Sequence, residues 1–121
     1  MSHPAKSLFA FGCYLVLLGV TLLLVPNLLL GLFRLPLTTE VWIRVVGMLV
    51  LFLGVYEVVL ARAENRLFMQ WSVWLRGSVI LFFGAFVLAG LVSPVLLVFG
   101  AVDFAGALWT WSALRKDAAR A

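Results

Sequence analysis

The sequence predicts an all-α, polytopic membrane protein: a bundle of four transmembrane helices with a short interfacial segment between helices 1 and 2. Three observations predict it. Of 121 residues, 65% are hydrophobic and 12% charged, with a mean hydropathy of +1.18, whereas a soluble domain is nearer half apolar and a quarter charged. Four segments, residues 8–26, 41–61, 72–92 and 94–114, each approach the roughly 20 apolar residues that cross about 30 Å of hydrocarbon. These runs are far longer than strands and lack period-two alternation. No linker or low-complexity stretch interrupts them, so residues 1–121 read as one domain.

The first span follows Lys6 and could be mistaken for a signal peptide, but no small-x-small cleavage site follows it, and an uncleaved helix is expected. After Pro26, the stretch from Asn27 to Pro36 is too apolar for an ordinary loop and too short to cross. It is expected to lie in the interface, with Arg34 reaching toward headgroups. Thr38 or Thr39 is the expected N-cap of the second span, with Glu40 at the positive helix end. The polar residues 62–66 form the second connection, and residues 67–71 are expected to skim the surface before the third span. The minimal connection at Ser93-Pro94 predicts a tight antiparallel hairpin of the last two helices.

The formal net charge is +4. In a soluble chain this would raise nucleic acid as a partner; here the basic residues are expected to set topology and touch anionic lipid. Lys6, Arg62, Arg66, Arg115, Lys116 and Arg120 collect on one side, and Arg34 lies on the other, with Arg44 just inside the second span. The positive-inside rule then puts both termini in the cytoplasm of a cell with an inner membrane. Trp42 near one edge and Trp71, Trp74, Trp109 and Trp111 near the other fit an aromatic belt. Trp42-Ile43-Arg44 and Trp74-Leu75-Arg76 open antiparallel spans, which fits either inverted symmetry or the interfacial preference of both residue types.

Charged groups inside a span are costly and mark candidate functional positions. Arg44, Glu57, Arg76 and Asp103 are the candidates. With a rise of about 1.5 Å per residue, Glu57 and Arg76 both fall about 24 Å from the outer edge, so an Arg76–Glu57 ion pair is expected. Asp103 falls about 12 Å and Arg44 about 5 Å below that edge, which makes Arg44–Asp103 the second expected pair. At 100° per residue, Arg44, Gly47, Leu51, Gly54 and Glu57 share one face of their helix, and Gly100, Asp103, Gly106, Ala107 and Thr110 share another. Gly47, Gly54, Gly100 and Gly106 are expected at helix contacts, with Tyr14, Tyr56, Thr21 and Thr110 as further hydrogen-bonding groups.

Cys13 is the only cysteine, which excludes an internal disulfide and a dithiol oxidoreductase. His3 stands alone near the terminus, so no metal or haem site is expected, and no phosphate loop, nucleophile elbow or HExxH motif is present. No cofactor is predicted.

Four spans, Trp42-x-Arg44-x-x-Gly47 and Gly100-x-x-Asp103-x-x-Gly106-Ala107-x-Trp109-Thr110 give a layout that resembles the small four-helix bacterial membrane proteins of the DoxX-like and BphX-like kind. The resemblance covers most of the chain and implies a four-helix membrane fold; no catalytic role comes with it. The expected function is that of a non-enzymatic accessory, assembly or interaction protein, with the lipid bilayer and a membrane partner protein or a second copy as partners. The alternatives are a small oligomeric transporter or channel using Asp103 or Glu57, and a lipid- or quinone-linked membrane enzyme. For the enzyme, no nucleophile–base pair is found.

Overall fold

The computed structural model describes residues 1–120. These form five helices, α1 (His3–Leu24), α2 (Pro26–Leu32), α3 (Trp42–Arg62), α4 (Arg66–Leu88) and α5 (Leu96–Arg120), with no strand among the described residues. Helices α1, α3, α4 and α5 are long and apolar enough to cross a membrane. At most 33% of the most apolar window of any of them is buried by protein. Large apolar side chains therefore stand exposed, among them Leu88 at 91% and Trp74 at 74%.

Element boundaries follow local chemistry. Pro26 has no N–H, so it ends α1 and can open α2, where a missing donor costs nothing. Helix α4 begins well before residue 72, because Asn65 caps it by accepting the Phe68 N–H at 3.0 Å. Residues 67–71 are thus the first turns of α4 rather than a surface segment, and Met69, Ser72 and Arg76 form its buried side. Neither Thr38 nor Thr39 caps α3, which starts at Trp42. The Thr38 hydroxyl instead accepts the Glu40 N–H, and the Asn27 side-chain amide clips both backbone groups of Thr38 at 3.0 Å.

Three helices close with the same paired bonds, running from the second residue past the cap back five positions and from the first back three. Leu35 to Leu30 and Arg34 to Gly31 close α2, Asn65 to Leu60 and Glu64 to Ala61 close α3, and Leu91 to Phe86 and Gly90 to Val87 close α4. Each closure puts one residue in the left-handed region: Arg34 at φ 54°, Glu64 at φ 55° and Gly90 at φ 73°. Glycine adopts that conformation freely, whereas a side chain there costs about 1 kcal/mol or more.

By packing, the described residues divide into two compact units, residues 9–59 and residues 1–8 with 60–120. In the first, α1 and α3 run antiparallel with backbone against backbone. A Cβ on Gly47 would lie 2.6 Å from the Leu23 nitrogen, and one on Gly54 would lie 2.7 Å from the Val16 nitrogen. Gly12 and Gly19 complete the contact from α1. In the second unit, α4 and α5 form an antiparallel pair. Gly100 meets Ile80 and Phe83, Gly77 meets Ala107, and Arg76 meets Thr110. The fully buried Ala5, Ser7 and Leu8 at the start of α1, Ala61 at the end of α3, Met69 and Thr110 make its core.

Candidate functional site

A buried polar chain lies in the unit that holds α4 and α5. Arg76, 6% exposed, is held from its own helix and from α5. Its Nε donates to the Ser72 carbonyl at 3.3 Å, and its Nη2 donates to Ser72 Oγ at 3.2 Å and to Thr110 Oγ1 at 2.8 Å. Thr110 Oγ1 lies 2.7 Å from Ser7 Oγ, and Ser7 Oγ donates to the Pro4 carbonyl at 2.7 Å.

A hydroxyl carries a single hydrogen, and this fixes the direction of every bond. The Ser7 hydrogen goes to Pro4, so Thr110 donates to Ser7 and accepts from Arg76. The Ser72 hydrogen goes to the Met69 carbonyl at 2.7 Å, so Ser72 too accepts from Arg76. Both Nη2 hydrogens and all three hydroxyl hydrogens are thereby used inside the protein. The arrangement spreads a buried cation over fixed dipoles on three helix segments, as buried charge requires.

Asp103 lies two turns from Thr110 on the packed side of α5 and is half-buried. Its carboxylate lies within the electrostatic field of Arg76, yet it accepts no hydrogen bond from another described residue. Arg44 belongs to the unit of residues 9–59 and Asp103 to the other, and Arg44 bonds within its own unit. Its Nη1 donates to the Leu23 carbonyl at 2.5 Å and to the Leu24 carbonyl at 3.2 Å. Those carbonyls are left over at the end of α1 because Pro26 breaks the helix, and the Leu28 N–H that would have bonded Leu24 goes to Val25 instead. A cation at a helix C-terminus also suits the dipole.

Glu57 is 5% exposed and sits on the side of α3 that faces α1, beside Gly12. It belongs to the unit of residues 9–59, and Arg76 belongs to the other. Gly47, Leu51 and Gly54 share that side, as helical spacing predicts. Gly100 is buried against α4, and Gly106 is half-buried. Tyr14 is half-buried, with its ring 5.4 Å from Phe11. Tyr56 is 60% exposed and faces outward. Thr21 donates to the Leu17 carbonyl in its own helix.

Sequence reasoning passed over Ser7 and Ser72. Ser72 carries a local signal, since it stands four residues before Arg76 on one helical face. Ser7 carries none, because its partner Thr110 is 103 positions away.

Outside the four long helices, Ser2 donates its hydroxyl at 2.6 Å and its backbone N–H at 3.0 Å to Glu64. These two bonds, the hydroxyl first, hold the Glu64 carboxyl below the usual glutamate range. Arg66 and Asp117 form an ion pair at 3.3 Å. Among the described residues no group of three or more His, Cys, Asp or Glu side chains gathers to hold a metal. Compared with protein families, curated proteins and solved structures, the chain finds no significant match.

Proposed function

We propose that the chain is an integral protein of the bacterial inner membrane, with four spans, both termini in the cytoplasm, and a non-enzymatic accessory, assembly or interaction role. The observation that carries this reading is the Ser72–Arg76–Thr110–Ser7 hydrogen-bonded chain. Its three hydroxyl hydrogens and both Nη2 hydrogens are used internally, and among the described residues none of its hydroxyls is paired with a base that could activate it. Polar groups used in this way hold helices together rather than act on a substrate. The exposed apolar surface of the four long helices supports the membrane, and the one-sided placement of Lys and Arg supports the orientation.

A second reading rests on Asp103. A half-buried carboxylate that accepts no hydrogen bond from another described residue can take up a proton or cation, which would suit a small oligomeric transporter or channel, with Glu57 as a second acid. Proteoliposomes with an imposed pH gradient separate the two. The accessory reading expects wild type to pass protons no faster than protein-free vesicles, and Asp103→Asn to behave identically. Flux in wild type that Asp103→Asn abolishes without lowering thermal stability would establish transport instead. A carboxy-terminal reporter that fluoresces only in the cytoplasm tests the orientation.

A further inference from the structure

Helix α5 outruns the membrane. From Leu96 to Arg115 it rises about 28 Å, close to the roughly 30 Å of a hydrocarbon core, and it continues to Arg120. Its last turns therefore stand at headgroup level, and the order of side chains along its outer surface matches that depth. Phe104, Leu108, Trp111 and Arg115 fall within about 60° of one another at 100° per residue. All four are exposed, and they pass from apolar through amphipathic to cationic toward the helix end. The Arg115 guanidinium lies 4.8 Å from the centre of the Trp111 ring, so the cation is pinned at the height of the indole. The order recurs on another flank, where Trp109, Lys116 and Arg120 align within about 40° and are exposed.

The nearest acid does not cancel these cations. Asp117 is engaged by Arg66 of α4, and Arg115 and Lys116 form no ion pair among the described residues. We infer that the cytoplasmic end of α5 binds an anionic phospholipid, with its acyl chain along Phe104 and Leu108, its glycerol region beside Trp111, and its phosphate on Arg115 and Lys116. The fork of a guanidinium matches two phosphate oxygens, and stacking on Trp111 pre-orients it. This inference rests on the membrane reading above.

The test uses the full chain, reconstituted in vesicles of phosphatidylcholine with or without phosphatidylglycerol, and native mass spectrometry of the lipid that stays bound. Wild type should retain phosphatidylglycerol over phosphatidylcholine. Arg115→Gln should weaken that preference about five-fold, the usual contribution of one cation near an anionic surface, and Lys116→Gln should add a similar loss. Trp111→Phe should weaken it about two-fold with helicity unchanged by circular dichroism, a milder change if a charge variant fails to fold. Arg34→Gln, on a different loop, should leave it intact.

Equal loss with Arg34→Gln would overturn the site in favour of diffuse charge attraction. Stabilisation in detergent by inorganic phosphate alone, matching that by phosphatidylglycerol, would overturn it in favour of a free-phosphate site. Flotation separates this inference from the membrane reading. A chain that does not float with either vesicle overturns both, whereas one that floats with both and shows no preference overturns only the lipid site.

Discussion

Along α1 and α3, backbone touches backbone, with glycines at 12, 19, 47 and 54 removing the side chains that would keep the helices apart. Along α4 and α5, glycine matters less. Gly77 and Gly100 sit at ordinary or slightly tight distances, and a guanidinium and a threonine hydroxyl bridge the pair. Both solve one problem. In lipid, the solvent proposed for these helices, apolar side chains gain nothing by leaving one apolar solvent for another, so helices must be joined by close packing or by hydrogen bonds. The first unit uses the former and the second uses the latter, and the two should break differently.

The largest effect is expected from a methyl group. Gly54→Ala places a carbon 2.7 to 2.8 Å from backbone atoms of Val16 and Gly12, which cannot rotate away, so α1 and α3 must separate. A loss of about 2 kcal/mol is expected after the helix-propensity gain of alanine is counted. Gly84→Ala is the matched control. Nothing lies within 4 Å of its Cβ, and it should stabilise by about 0.5–1 kcal/mol. Melting temperatures in one detergent check both, and equal effects at the two positions would remove the distinction between close-packed and open glycine.

Next comes the polar chain, where the direction of the bonds makes an unequal prediction. Thr110→Val leaves a buried guanidinium hydrogen with no acceptor and should cost about 2 kcal/mol. Arg76→Met leaves Ser72 and Thr110 still donating to Met69 and Ser7, so the hydrogen-bond cost is smaller. In the Arg76→Met background, Thr110→Val should therefore cost at least about 1 kcal/mol less than in wild type. A double-mutant cycle with no coupling would show that the contact contributes nothing to the α4–α5 pair.

How far this contrast can be read from sequence depends on the range of each interaction. The α3 stripe of Gly47, Leu51, Gly54 and Glu57 is legible because helical periodicity alone puts those residues on one side, and that side does face α1. The four long helices are legible because apolar runs of that length have few other fates. The start of α4 is missed because a tryptophan-rich amphipathic stretch looks interfacial, whereas the Asn65 cap draws it into the helix. Arg44 is assigned to Asp103 because depth arithmetic matches charge to charge. It does not count the Leu23 and Leu24 carbonyls left over where α1 breaks before Pro26, to which Arg44 Nη1 donates. Ser7 is missed because nothing local marks a serine whose partner lies at the far end of the chain.

Arg44 gives an intermediate prediction on the glycine-packed side. Arg44→Met leaves the Leu23 and Leu24 carbonyls without that donor and should cost about 1 kcal/mol. Arg44→Lys should recover only part, because an ammonium can donate to one carbonyl but lacks the planar fork that spans two. If Lys and Met melt alike, the role of Arg44 is packing by its aliphatic stem rather than capping of α1.

The smallest effect is expected at the polar margin of the hydroxyl-bonded unit, from the Ser2 bonds to Glu64. A carboxyl held below its unfolded value stabilises the fold while it is ionised, and that stabilisation is complete above the unfolded pKa of about 4.3. As pH falls through this value and on through the lower folded one, protonation removes it. Melting temperature should therefore drop slightly more for wild type than for Ser2→Ala between pH 6 and pH 3, with the two converging at the acid end (both pH limits set about the carboxyl range). The difference should stay small, since Glu64 is solvent-exposed and water screens what it gains. Glu64 also holds a left-handed backbone position at the end of α3, and Glu64→Gly separates the two terms. It relieves the backbone strain and deletes the carboxylate together, so a rise in melting temperature that no longer depends on Ser2 would show that the strain outweighs the bond.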